Sequence, residues 1–158
     1  MTAVQGEVSR STDVLRQRIH ITGNVLSSVN SGTRRPRPRE YRPWVAEEVN
    51  RVDSFGSLAK GWDSYSAEPP NDLSRLWARA AIYYLDSMEF PPDRIAPSVE
   101  GGIAITWNRD GRYANIELFN SGELLAARRG EDGNPVVWEV PSNGLEAGLR
   151  EIREYLNA

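Results

Sequence analysis

The stretch from Ile103 to Phe119 reads IAITWNRDGRYANIELF, and its alternation of apolar and polar residues decides the fold of the chain. A period of two is typical of strands that bury one face, and Asn108–Gly111 interrupts it with residues that favour a turn. The stretch therefore predicts two antiparallel strands joined by a tight turn. The residues predicted to face inward are Ile103, Ile105, Trp107, Ile116 and Leu118.

Two more strands are predicted after this hairpin, at 123–129 and 136–140, because glycine-bearing turns separate them. Together the strands predict an antiparallel β-meander of about four strands. Pro141 and Ser142 then lead into a predicted C-terminal helix. The apolar face of this helix consists of Leu145, Leu149, Ile152, Tyr155 and Leu156.

Two helices are predicted ahead of the meander. Pro43 suits the first turn of the first helix, whose apolar spacing continues to about Ala59, and Gly61 follows as a stop signal. Asn71 can cap the second helix. Its predicted apolar stripe consists of Leu73, Leu76, Trp77, Ala80, Ala81, Tyr84, Leu85 and Met88, and its predicted polar face of Ser74, Arg75, Arg79 and Asp86. Helices that stand apart from a run of strands make the fold class α+β.

Charge is distributed unevenly along the chain. Residues 1–43 contain eight arginines and three carboxylates, whereas residues 44–158 contain eleven basic residues and nineteen carboxylates. The alternating prolines at 36 and 38 favour an extended segment between arginines. We therefore expect a basic, extended and partly disordered arm over 1–41, followed by a single α+β domain over 42–158.

Several function classes have no support in the sequence. The chain has no cysteine, which excludes disulfides, thiolate zinc sites, iron–sulfur clusters and cysteine nucleophiles. His20 is the one histidine, and no carboxylate lies three or four residues from it. We expect no enzymatic activity, no cofactor and no bound metal. No apolar run approaches the length of a membrane span, so we expect a cytoplasmic protein without a membrane partner.

The segment Gly61–Pro70, which reads GWDSYSAEPP, places two aromatic residues in a predicted loop. In one interpretation Trp62 and Tyr65 fold back over the helices as core residues, with Asp63 or Ser64 hydrogen-bonded to nearby backbone. In the other, Trp62, Asp63 and Tyr65 form a protein-interaction site, because tryptophan and tyrosine dominate binding hot spots. The core interpretation is favoured, since the five tryptophans are spread over separate elements.

The same segment carries a resemblance to a group of small uncharacterised bacterial and phage-borne proteins. These share a Gly-Trp-Asp-x-Tyr-x-Ala-x-Pro segment and a later Gly-Gly-x-x-x-x-Trp strand, which in this chain are Gly61–Pro69 and Gly101–Trp107. The resemblance covers roughly residues 50–125. It implies an accessory role, such as one in bacterial conflict systems, and it assigns no activity and no site residue.

These observations predict a non-enzymatic module that binds a macromolecule. A protein partner is favoured, as for an inhibitor, antitoxin or immunity protein, because an acidic domain can occupy a basic groove on its target. One alternative is nucleic-acid binding through the arginine-rich arm. Another is a homo-oligomer in which the arm docks on the acidic domain of a second copy. The residues that would bind nucleic acid or an acidic partner are Arg34, Arg35, Arg37, Arg39 and Arg42.

Overall fold

The structure, a computed structural model, describes residues 40–158. Residues Glu40–Ala158 form one compact unit. The α+β prediction is confirmed for this unit. Its elements are α1 (Pro43–Ser54), a 3-10 helix (Phe55–Ser57), α2 (Asp72–Ser87), β1 (Arg94–Ser98), β2 (Gly102–Arg109), β3 (Arg112–Phe119), β4 (Leu124–Arg129), β5 (Pro135–Glu139) and α3 (Leu145–Asn157).

The strands form one antiparallel sheet in the order β1-β2-β3-β4-β5, so each strand pairs with its neighbours in sequence. The hairpin predicted from the alternating stretch is β2–β3. Its turn has positive φ angles at Asp110 (50°) and Gly111 (79°), as a two-residue turn matched to the strand twist requires. The meander and its central hairpin are thus confirmed, with strand order added.

The strand β1 is missing from the predicted meander, which contained about four strands rather than five. Pro97 lies within β1, and a proline usually argues against a strand. Here β2 is the one neighbour of β1. The Asn120 N–H donates to the Gly101 carbonyl, so the backbone groups of the odd-numbered residues on this side face β3. The even-numbered residues of β2 therefore turn their backbone groups toward β1. The ring of Pro97 therefore replaces an N–H that would face the free edge of the sheet.

The core lies between the helices and one face of the sheet, which we call the inner face. The helices α2 and α3 contact the central strands. Trp107 stacks on Phe90 with ring centroids 5.5 Å apart. Among residues 40–158 no helix covers the opposite, outer face, whose side chains on β2 and β3 are half-buried or exposed. The inner-face residues that are 0–1% exposed are Ile103, Ile105, Trp107, Ala114, Ile116, Leu118, Leu124 and Ala126.

The helix α2 is capped as predicted but is rotated from its predicted orientation. The Asn71 side chain accepts from the backbone N–H groups of Leu73 and Ser74. Ser74 and Asp86, which were assigned to the polar face, are 0% and 3% exposed. They are buried because remote residues satisfy them: Asn120 accepts from the Ser74 hydroxyl (2.9 Å), and Arg42 donates to Asp86. The buried face is Ser74, Trp77, Ala78, Ala81, Ile82, Leu85 and Asp86.

The first helix ends earlier than predicted. The helix α1 stops at Ser54 and continues as one 3-10 turn, whereas the spacing predicted an end near Ala59. Arg75 of α2 donates to the carbonyl oxygen of Asp53 (3.3 Å). Gly56 leaves room for it, since a β-carbon at this position would lie 2.4 Å from the Arg75 guanidinium. A contact between α1 and α2 therefore lies at the point where α1 ends.

Glu48 on α1 is a partly buried carboxylate, and we expect its replacement by glutamine to be stabilising at neutral pH. Its side chain is 17% exposed, and burial raises its pKa although Arg51 lies 3.2 Å away. A carboxyl whose pKa is raised by folding destabilises the fold when ionised, and this penalty disappears as the pH falls below the unfolded pKa of about 4.3. Glu48→Gln should therefore raise the free energy of unfolding at pH 7.

Urea denaturation at pH 7 and at pH 4 tests this expectation. The gain from Glu48→Gln should shrink toward zero at the lower pH. Glu151→Gln is the control, since Glu151 is exposed within α3 and its carboxylate does not contribute to the pKa of Glu48. A loss of stability for Glu48→Gln that is equal at both pH values would contradict the assignment.

Candidate protein interface

The loop between α1 and α2, Gly61–Pro70, is held in a closed conformation; we call it the aromatic loop. The N–H of Gly61 donates to the carbonyl of Ala67 across the loop (2.9 Å). Inside it, Asp63 Oδ1 accepts from the backbone N–H groups of Tyr65 (3.0 Å) and Ala67 (3.1 Å). A carboxylate that binds two backbone N–H groups in this way fixes a turn. The predicted hydrogen bonding of Asp63 to nearby backbone is confirmed.

The end of the aromatic loop is tied to the turn between β3 and β4 through Asn120. The Asn120 side chain donates to the carbonyl of Pro69 (2.9 Å) and accepts from the N–H of Asn71 (2.8 Å) and the hydroxyl of Ser74 (2.9 Å). In return, the Asn71 side chain donates to the Asn120 carbonyl (2.9 Å). We call these four residues the Asn120 hub. It joins the loop, the start of α2 and the sheet.

The turn between β1 and β2 meets the same hub. Gly101 accepts from the Asn120 N–H (3.0 Å), and a β-carbon on Gly101 would lie 3.3 Å from Asn120 Nδ2 and 3.9 Å from Glu68 Cβ. The aromatic loop and the two turns therefore lie together, and we call this region the loop end. The two segments that carry the sequence resemblance, Gly61–Pro69 and Gly101–Trp107, come into contact here.

Tyr65 stands out from the aromatic loop into solvent. Its side chain is 89% exposed, the largest value among the large hydrophobic residues of 40–158, so the expectation that it packs over the helices is wrong. Ser64 has φ of 72°, which reverses the chain just before Tyr65 while Asp63 holds its N–H. Trp62 behaves differently, because it is half-buried and its indole Nε1 is inaccessible to solvent.

The loop end carries carboxylates that have no basic partner within residues 40–158. Within the part of the chain that the structure describes, Asp63, Glu100 and Glu123 take part in no ion pair. The basic residue Lys60 is paired with Glu68. The turn between β1 and β2 adds an exposed apolar side chain next to Glu100, since Val99 is 60% exposed. The loop end thus presents an aromatic ring and an aliphatic side chain among carboxylates.

The arginines predicted to bind nucleic acid or an acidic partner are divided by the structure. Arg34, Arg35, Arg37 and Arg39 lie outside the described residues. Arg42 precedes α1, where its Nη1 donates to Asp86 Oδ1 (3.0 Å) and to the Asp86 carbonyl (2.6 Å), and its Nη2 donates to Glu89. The hydrogen bond to Asp86 is the main cause that raises the pKa of Arg42. Arg42 therefore joins the start of α1 to the end of α2.

Metal-ligating side chains do not cluster among residues 40–158. No three histidine, cysteine or carboxylate side chains in this range lie close enough together to hold a metal ion. None of the helices described is both long and apolar enough to cross a bilayer. No protein-family model, no curated protein and no solved structure matches the chain.

Proposed function

We propose that the protein is a non-enzymatic binding module whose loop end docks on a protein partner, with Tyr65 as the central anchor. The observation that carries this proposal is a ring exposed to 89% on a loop whose backbone is held by Asp63 and the Asn120 hub. An aromatic residue with few rotatable bonds on a fixed loop loses little conformational entropy on binding. Tyrosine is accordingly enriched in binding hot spots.

The charge of the loop end indicates the chemistry of the partner. Residues 40–158 contain twelve basic residues and twenty carboxylates, and the unpaired carboxylates of the loop end are part of this surplus. A basic surface with an apolar pocket is complementary to such a region, and opposite charge speeds association. An inhibitor, antitoxin or immunity protein that covers the basic groove of a nucleic-acid-acting target has this character. The lack of cysteine fits a cytoplasmic role.

The nucleic-acid alternative is weakened by the position of Arg42. The guanidinium of Arg42 is already paired with the carboxylates of Asp86 and Glu89. Four arginines, Arg34, Arg35, Arg37 and Arg39, then carry the alternative. The acidic surplus of residues 40–158 would repel a phosphate backbone that approached the domain. Binding of a protein partner is for these reasons the proposed function.

Tyr65→Ala is expected to weaken partner binding by about 30-fold or more, which corresponds to a hot-spot loss of about 2 kcal/mol. The partner is first recovered by affinity capture of the full chain from its native host, and the dissociation constant is then measured by calorimetry. The unfolding temperature should not change, because Tyr65 makes few contacts with the domain.

Tyr113→Ala is the matched control for this experiment. Tyr113 is 42% exposed on the outer face of β3, away from the aromatic loop, so its removal should leave the affinity unchanged. Recovery of no stoichiometric partner, or equal affinity for Tyr65→Ala and the unmodified chain, would count against the proposal.

A further inference from the structure

Within the described residues, the last strand of the sheet has an apolar edge that no other segment covers. Among residues 40–158, β5 pairs with β4 and with no other strand. Val136 on the inner face is 42% exposed and Val137 on the outer face is 58% exposed. Exposed edge strands are templates for pairing with another strand, and proteins normally protect them with charges, prolines or covering segments. In β5 the only proline is the first residue, Pro135.

The hydrogen bonds that flank β5 show which backbone groups face its free edge. The N–H of Val140 donates to Leu124 (2.8 Å), and the N–H of Gly130 donates to Asn134 (2.7 Å). In an antiparallel ladder the hydrogen-bonded pairs recur at every second residue. The even-numbered residues of β5 therefore face β4. The free edge offers the N–H groups of Val137 and Glu139 and the carbonyls of Pro135, Val137 and Glu139.

We propose that β5 pairs antiparallel with β5 of a second copy of the chain, about a two-fold axis at Val137. In this register the two Val137 residues exchange N–H···O bonds, and the Glu139 N–H of each copy donates to the Pro135 carbonyl of the other. Both free donors of each edge are used. Pro135, which has no N–H, leaves only the Glu139 carbonyl without a partner. A two-fold contact of this kind is self-complementary and closed.

Charge complementarity favours this register over its neighbour. Within each copy, Pro135 pairs with Arg129 on β4. In the proposed register Glu139 of one copy lies opposite Pro135 of the other, and Arg129 of that other copy lies on the next strand. Within residues 40–158 neither Glu139 nor Arg129 forms an ion pair. A register centred on Trp138 would instead place Glu139 opposite Val137 and one strand from Ala127, which offers no cation.

The size of the contact sets the expected strength. A five-residue edge buries less surface than the roughly 1,200–2,000 Å² of a stable interface, so we expect a dissociation constant in the micromolar range or weaker. Sedimentation velocity of the full chain over about 1 μM to 1 mM should show a reversible monomer–dimer equilibrium. Hydrogen exchange at high concentration should protect the amides of Val137 and Glu139.

Val137→Lys should weaken the dimer by about tenfold or more, because it removes apolar contact at the axis and places two like charges opposite each other. Val99→Lys is the matched control, since Val99 is also exposed (60%) but lies in the turn between β1 and β2. It should dimerise like the unmodified chain. Both substitutions are at exposed positions, and circular dichroism would verify that both variants are folded.

A charge exchange separates the proposed contact from other modes of association. Glu139→Arg should weaken the dimer, and Arg129→Glu together with Glu139→Arg should restore it. Within one chain Arg129 and Glu139 lie four positions apart along the β4–β5 ladder. Restored dimerisation of the double variant would therefore result from contact between the two copies. Because β5 and Tyr65 are separate surfaces, failure of this proposal leaves the partner-binding proposal untouched.

Two results would overturn the pairing of β5. One is a monomer at every concentration, which would also be the outcome if the edge takes an extended segment of another protein. The other is a dimer that Val137→Lys does not affect and that dissociates in high salt, as expected if the basic arm of one copy docks on the acidic domain of another.

Discussion

Gly102→Ala is expected to lower the free energy of unfolding by about 3–5 kcal/mol, the sum of overpacking and backbone strain. Gly102 opens β2 with φ of 146°, a region that residues with a β-carbon rarely adopt. A β-carbon here would lie 2.3 Å from the carbonyl oxygen of Leu118 and 2.9 Å from Cα of Phe119. These are backbone atoms of the paired strand β3, so they can move only if the pairing of β2 with β3 is disturbed.

Gly111→Ala is the matched control, and urea denaturation of both variants is the measurement. Gly111 also has a positive φ (79°), but no atom lies within 4 Å of the position of a β-carbon. Its replacement should cost about 1–2 kcal/mol, which is the penalty for a left-handed conformation alone. If the two variants lose equal stability, close approach of the β3 backbone is not the reason for the glycine at 102.

Asn120→Ala is expected to lower the free energy of unfolding by about 2–4 kcal/mol, because three side-chain hydrogen bonds are lost at about 0.5–1.5 kcal/mol each. The substitution leaves the fully buried Ser74 without this acceptor and removes the tie to Pro69. It also frees the end of the aromatic loop. We therefore expect it to weaken partner binding as well as stability, whereas Tyr65→Ala should weaken binding alone.

Asn108→Ala is the control for Asn120→Ala in thermal and urea denaturation. Asn108 is exposed on β2, and its described hydrogen bond to Asp93 uses its backbone N–H, which alanine retains. Its replacement should change the stability by no more than about 0.5 kcal/mol. A similar small change for Asn120→Ala would mean that the hub does not hold the loop to the sheet.

The parts of the fold that sequence reasoning predicted are those set by neighbours in sequence. The alternation of Ile103–Phe119 identified the β2–β3 hairpin and its inner face, because side-chain direction in a strand depends only on position. The cap at Asn71 was predicted because the amide it binds lies two or three residues further along. The apolar face of α3 was predicted for the same reason, with Leu149 and Ile152 fully buried.

The parts that it missed depend on contacts between residues far apart in the chain. Ser74 is buried because Asn120, 46 positions away, accepts a hydrogen bond from its hydroxyl. Asp86 is buried because Arg42, 44 positions away, donates a hydrogen bond to its carboxylate. Hydrophobic periodicity treats both as polar surface. Tyr65 was misplaced for a related reason, since the closure of its loop depends on a hydrogen bond and a positive φ rather than on apolar spacing. The Asn120 hub has no signature beyond an asparagine in a turn.

The two ends of the sheet differ in their capacity for growth. Within residues 40–158 the sheet is open, with β1 and β5 at its edges, so further strands can be added only beside one of these two. Pro97 removes a donor from the middle of the first of these borders, while the second keeps the N–H groups of Val137 and Glu139. If two molecules join at the second border, both outer borders of the assembly are then proline-bearing β1 strands. Association would then stop at a dimer, because a sheet with only one edge able to pair cannot extend into an open-ended filament.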